Sequence, residues 1–326
     1  MLLTLPLVLF IVMAEVAAGA VSVLVFLDWR KEVTRGFLIL YAIIYLAFTG
    51  LTYLFQQGFA SPLVLSSYPQ LDQAWVGSLS LPLLIFLLLQ IPYSLFLILD
   101  KHAGIKGQSW ASSAGEEEPA KPEQRSPILS VLRYLSGGAT VLAGLATIFV
   151  MAMIFRPLAA ANIGGVFTIA GFFAAAFALG GVLTAMWLGH WYLAASTVSE
   201  KPLQFSTAIV LIAILAQIVL ALAAGPVTAY ANKPTTPSSS PTITAPATGS
   251  QQVKPVDAPS VAPFSTGVIG WLRILVGFVI PLVLGGFIWK LVRDRSFQSA
   301  TGMLYLIVVC ALAGEIMARG LFLGGL

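Results

Sequence analysis

Charge is what this 326-residue chain has least of: Asp, Glu, Lys and Arg make up 9% of it, while 58% is hydrophobic. Soluble domains carry about 25% charged residues. So little polar surface does not cover a water-soluble fold, and the composition predicts lipid as the solvent. The net charge is +4, but the basic residues fall in short loops rather than in one patch, which argues against a nucleic-acid partner. The single cysteine, Cys310, lies inside an apolar run. It excludes a disulfide within the chain and any Cys-rich metal or iron–sulfur motif. Histidine is nearly as scarce, with only His102 and His190. The short alternating segments of a membrane β-barrel are also missing.

What is present is a series of eight apolar stretches: Leu2–Leu27, Phe37–Phe55, Trp75–Leu99, Leu132–Phe155, Val166–His190, Phe205–Ala224, Val268–Val292 and Thr301–Leu323. Each approaches the roughly 20 residues that a spanning helix needs. In lipid, backbone groups must be satisfied within their own segment, so these stretches are helices. The fold class is therefore an all-α integral membrane protein with eight transmembrane helices. The first stretch lacks a basic leader and carries Glu15, so it reads as a retained helix rather than a signal peptide.

Loop charge sets the orientation. Arg30, Lys31 and Arg35 lie between spans 1 and 2, and Lys101, Lys106, Lys121 and Arg125 between spans 3 and 4, with Arg133 at the end of that loop, where span 4 begins. Lys201 lies between spans 5 and 6, and Lys290, Arg293 and Arg295 between spans 7 and 8. The alternate loops hold only Arg156, Lys233 and Lys254. By the positive-inside rule the odd loops are cytoplasmic and both termini lie outside. This predicts a multi-pass protein of the inner (cytoplasmic) membrane of a bacterium, in contact with the lipid bilayer.

Residues 1–99 thus hold spans 1–3, residues 132–224 spans 4–6, and residues 267–326 spans 7–8. The intervening 100–131 is a charged loop with Glu116, Glu117 and Glu118, read as a cytoplasmic tether. Residues 225–266, rich in Pro, Ser and Thr, bury too little to order themselves and read as an extended outer loop. There is also a trace of repetition. Gly19, Ser22 and Asp28-Trp29 match Gly181, Thr184 and His190-Trp191, all 162 positions on, and Arg156 precedes Arg319 by 163. Two four-helix halves of equal orientation, related by an axis along the membrane normal, would produce this pattern.

Ionisable side chains within spans are expensive, so each is a site candidate. Glu15, thirteen residues past Leu2, lies about 20 Å along its helix, near mid-membrane. There it acts as a proton relay or pairs with a neighbouring helix. Glu315 and Arg319 are four apart, share a helix face and can pair. Arg273 lies about a turn inside the outer end of span 7. With Arg156, at the outer end of span 4, these residues outline a polar outer pocket. For the arginines the competing reading is snorkelling to headgroups, which suits Arg156 best. Gln90 and Gln217 are central and read as interhelical hydrogen bonds. Pro82, Pro92 and Pro281 introduce kinks. Gly137-Gly138, Gly144, Gly180-Gly181 and Gly285-Gly286 allow close helix approach.

His190 ends span 5 beside Trp187, Trp191 and Tyr192. It belongs either to an interfacial aromatic belt or to a site where imidazole exchanges a proton with a quinone carbonyl near neutral pH. A bis-histidine haem b would need His102, on a loop, as its second ligand. Axial ligands normally sit on rigid helices, so haem is disfavoured.

Several of these features occur together in a known family. Eight spans, a first helix beginning LPLVLFIVMAEVAAGA and a last helix ending LAGEIMARGLFLGGL resemble the membrane-anchor subunits of molybdopterin oxidoreductases. These are the dimethyl-sulfoxide-reductase anchor and, more distantly, the NrfD-like polysulfide-reductase membrane subunit. Gly314-Glu315-Ile316-Met317-Ala318-Arg319-Gly320-Leu321-Phe322 is similar to the Gly-Glu…Arg…Leu-Phe close of that anchor, and Ser61-Pro62-Leu63 to its Ser-Pro-Leu loop. Where that family has a histidine just before the triplet, Gln56-Gln57-Gly58 stands here.

The resemblance implies a menaquinone- or ubiquinone-interacting membrane subunit of an electron-transfer complex, partnered by iron–sulfur or haem subunits. On that reading the chain has no redox metal of its own. Glu15 would relay protons, and Glu315, Arg319 and Arg273 would line an outer quinone pocket, with His190 an inner candidate. Two alternatives stand beside it: a non-catalytic scaffold subunit of a respiratory or photosynthetic complex, and a small-solute or proton transporter.

Overall fold

The computed structural model describes residues 4–101, 103–104, 127–158, 165–194, 200–224 and 268–323. Residues 102 and 105–126 of the 100–131 charged loop, His102 among them, and the 225–266 outer loop lie outside them. Eight membrane-length helices fill the described chain, with no strand: α1 (Leu5–Arg30), α2 (Arg35–Phe59), α3 (Ser80–Leu99), α4 (Pro127–Phe155), α5 (Val166–Ala194), α6 (Lys201–Ala224), α7 (Val268–Arg293) and α8 (Phe297–Phe322). All eight expected spans are present.

Their ends differ from the apolar stretches in a consistent way. At the end carrying the basic loops, here called the inner end, α1, α4, α5, α6 and α8 each run three to five residues further than the hydropathy. Hydropathy marks where hydrocarbon stops. The hydrogen-bond ladder continues for another turn because long side chains there, such as the exposed Arg30 and Lys201, can carry their charge outward along their own stems. At the outer end the expected third span is interrupted. Gln73–Val76 forms a separate short turn, capped by the Asp72 side chain accepting from the Ala74 N–H at 3.2 Å, and α3 starts only at Ser80.

The helices form two rings. Contacts run α1–α2, α2–α3, α3–α4 and α4–α1 in the first half, and α5–α6, α6–α7, α7–α8 and α8–α5 in the second. The halves meet along α1 and α5, with α4 touching α5 and α8 touching α1. Exchanging α1–α4 for α5–α8 maps this pattern onto itself, so the fold is two four-helix halves. α1 and α5 occupy the middle and the outward faces of α2, α3 and α7 meet lipid, which is why α1 has no polar stripe.

The junction rests on two glycines. A Cβ on Gly19 would stand 1.8 Å from the Ala176 carbonyl oxygen, and one on Gly180 would stand 2.1 Å from the Gly19 carbonyl carbon. Backbones approach this closely only where side chains are absent. The sequence match aligned Gly19 with Gly181; the crossing lies one residue earlier, at Gly180.

In α7 a π-helical stretch, Ile274–Val279, precedes Pro281. Proline offers no N–H to the carbonyl four residues back and its ring crowds that carbonyl. The wider turn accommodates both, and π-turns of this kind are frequent at functional sites.

Candidate functional site

The two ends of the chain meet inside the membrane. Glu15 on α1 is fully buried, and Arg319, one turn from the end of α8, donates from Nη2 to Glu15 Oε1. Arg319 Nε lies 2.9 Å from Glu315 Oε1, the expected i,i+4 pair. Gln217 on α6 donates to Glu315 Oε2 at 3.4 Å. The guanidinium lies 3.8 Å from the centroid of the Phe172 ring on α5, a cation–π contact inside the protein. One arginine thus holds two carboxylates while an aromatic face covers its plane. Glu15 Oε2 has no hydrogen-bond partner, so one oxygen of the pair remains open to a proton or a water.

Beside this network is a cleft between α5, α6, α7 and α8, lined by Gln217, Arg273, Phe278 and Glu315 among others. Its floor is glycine: a Cβ on Gly314 would stand 2.4 Å from the Gly277 Cα, so the π-turn of α7 rests directly on α8. The cleft has about 10 Å³ of free space, room for one water. Arg273 lines it, with its guanidinium 5.6 Å from the Phe278 ring centroid.

Four of the residues singled out from sequence therefore converge: Glu15, Glu315, Arg319 and Arg273. Two do not. Arg156 pairs with Asp72 at 3.6 Å on the outer surface, an intramolecular partner in place of a headgroup. His190 sits on α5 eighteen residues beyond Phe172, roughly 27 Å along the helix. There it is exposed, and its Nδ1 lies 3.3 Å from the Tyr305 hydroxyl. Trp187 and Trp191 turn inward beside it, Trp187 tilted against Tyr41 and Trp191 edge-on to Phe37, and their indole N–H groups are buried without acceptors among the described residues. Gln56 is fully buried and ties α2 to α3 by donating to Ser80 Oγ at 2.8 Å. The predicted interhelical role of Gln90 is also present, as a 2.9 Å donation to Thr49 Oγ1.

A second charged cluster lies at the inner end of the first half, and the sequence reading did not assemble it. Arg133, counted there with the loop cations, is 1% exposed. Its Nε lies 3.4 Å from Asp28 Oδ2 and its Nη1 3.2 Å from Asp100 Oδ2. Tyr93 donates to Asp28 at 3.4 Å and Ser130 to Asp100 at 2.9 Å. Counting basic residues for topology hid it, because that count ignores the acids. The available signal was two aspartates and an arginine at the inner ends of α1, α3 and α4.

Among the described residues there is no group of three or more His, Cys, Asp or Glu placed to hold a metal. No known protein-family model matches the chain, and no curated protein matches it.

Proposed function

We propose that this chain is a quinone-interacting integral membrane subunit of a multi-subunit electron-transfer complex in a bacterial inner membrane, working with an iron–sulfur or haem partner. The observation that carries the reading is the meeting of Glu15 with Glu315 and Arg319. The first and last helices, whose sequences resemble the molybdopterin-oxidoreductase anchors, are joined through these ionisable groups. A quinol gives up two protons on oxidation, and intramembrane carboxyls beside a cleft serve as relays. In this reading Gln217 and Arg273 donate to the quinone oxygens, Glu315 exchanges a proton with the ring, and Glu15 passes it on. His190 with Tyr305 is the weaker, inner candidate. The cleft admits about one water as it stands, so ring binding requires α7 to move away from α8 at its π-turn.

The test is binding of a fluorescent quinol analogue to the purified protein in lipid nanodiscs. Quenching in the wild type and its loss in Glu15→Gln and Glu315→Gln support the assignment. Unchanged binding and unchanged turnover of the intact complex in both variants would remove it.

One observation favours a second reading, a non-catalytic scaffold subunit. Arg319 is closed on all sides, by two carboxylates and the Phe172 ring, as a structural ion pair would be. On that reading the two Gln variants lower the yield of assembled complex and leave turnover per complex intact.

A further inference from the structure

Polar groups in the first half do not stop at the Arg133 cluster. On α3, Gln90, Tyr93 and Ser94 share one inward face, at i, i+3 and i+4 spacing. All three are nearly or fully buried, at 2%, 2% and 6% exposure. Thr49 on α2 faces them and accepts from Gln90. From Gln90 to the end of α3 this file runs about 15 Å, from the middle of the bundle to the inner cluster. Beyond Gln90 toward the outer side the same α3 face turns apolar, with Phe86 and Leu83, both buried.

The polar file is incompletely paired. Asp28 Oδ1, Ser94 Oγ and Gln90 Oε1 are buried without partners, one at each level. Arg133 Nε and Nη1 face their carboxylates at ion-pair distance yet make no hydrogen bond. Buried polar atoms without partners are normally satisfied by internal water. Asp28 and Asp100 both face the Arg133 guanidinium, and the unpartnered Asp28 Oδ1 is a place for a proton. Among the described residues, the titratable groups around Asp28 and Arg133 include Tyr93 from α3, Tyr134 from α4 and Lys31 just past α1, whose Nζ lies 5.8 Å from the Tyr134 ring centroid.

We infer that the inner half of the α1–α4 ring encloses a short file of water, and that Asp28 and Asp100 bind one exchangeable proton at its inner end. The proton arrives from an inner-side water as hydronium, forms an O–H bond on an aspartate oxygen, and leaves to a file water when that carboxyl ionises again. The inference stands apart from the quinone reading, which rests on Glu15 and the second half.

Two measurements on the full chain in nanodiscs test it. X-ray radiolytic labelling generates hydroxyl radicals from bound water and marks the nearest side chains. Tyr93 should oxidise about tenfold faster than Phe86, an equally buried aromatic one file-length away, because a hydrogen-bonded water lies beside it. Equal rates at the two rings mean a dry interior and overturn the water file without any substitution. Infrared difference spectra between alkaline and acidic buffer should show a protonated-carboxyl band that Asp28→Asn removes and Glu15→Gln keeps. Loss of that band in Glu15→Gln alone would place the proton at the outer network and overturn the inner site.

Discussion

The two buried charge clusters are built to one recipe and solved differently. Each sets two carboxylates against one arginine, recruited from three helices at the inner end and two at the outer. At the outer network the contacts are close: Arg319 hydrogen-bonds Glu15, sits 2.9 Å from Glu315 and is covered by Phe172. At the inner cluster the ion pairs are longer, 3.2 and 3.4 Å, and tyrosine and serine hydroxyls do the hydrogen bonding. Desolvating a charge in lipid is costly either way. The outer site reaches Glu15, ten residues into α1, and meets that cost with direct contact. The inner one lies at helix ends, Asp28 two residues from the end of α1, and keeps the Asp28 Oδ1 oxygen unpartnered. The halves are related in helix arrangement, yet their charges sit at opposite ends, so the repeat governs packing and not chemistry.

The comparison predicts unequal penalties. Arg319→Ala strands Glu15 without a cation at a fully buried position, and should cost about 3–5 kcal/mol in thermal unfolding of the purified protein. Arg133→Met should cost less, about 1–3 kcal/mol, because Tyr93 and Ser130 still donate to the aspartates and only part of the hydrogen bonding is lost. Equal penalties would mean that the inner cluster is as dry and as tight as the outer one. A smaller effect separates the two sites further. Phe172→Leu keeps the apolar packing and removes the ring face under Arg319, with an expected loss of about 1–2 kcal/mol and no effect on the inner cluster. A double-mutant cycle with Arg133→Met should therefore be additive.

What could be read from the sequence divides along the same line. The eight spans were legible because lipid imposes one rule on every segment, and Glu15, Glu315 and Arg319 because charge in the middle of a span has no cheap explanation. That Glu15 pairs with Arg319, 304 positions away, was not legible, since spacing identifies partners only within one helix. Arg133 was counted with the loop cations, Asp28 entered only through the repeat and Asp100 not at all, because charges at span ends are ordinarily solvated. Phe172 gave no signal at all, being one aromatic residue in an apolar run. The π-turn of α7 was hinted at by Pro281, whose ring predicts a disturbance but not its form. The helix ends were misplaced inward because hydropathy tracks the hydrocarbon boundary while hydrogen bonding does not.

The smallest predicted effect discriminates most. Tyr93→Phe removes one hydroxyl and leaves a ring that packs against Gly137, where a Cβ would stand 3.1 Å from the tyrosine Cε2. The lost donation to Asp28 spans 3.4 Å, so if the interior is dry the carboxylate loses a real partner and stability falls by about 1 kcal/mol. If water lies beside Asp28, a molecule next to Oδ1 is at hand to donate to Oδ2, the oxygen the hydroxyl leaves, and unfolding should shift by less than about 0.5 kcal/mol. The matched change at a dry position is Tyr45→Phe, whose hydroxyl meets Thr184 Oγ1 at 3.0 Å across the α2–α5 contact. That substitution should show the full penalty, since the abandoned threonine still bonds nothing else across the interface. A Tyr93→Phe penalty as large as that of Tyr45→Phe, measured in the same lipid by the same unfolding assay, would erase the distinction between a hydrated inner cluster and a dry helix junction.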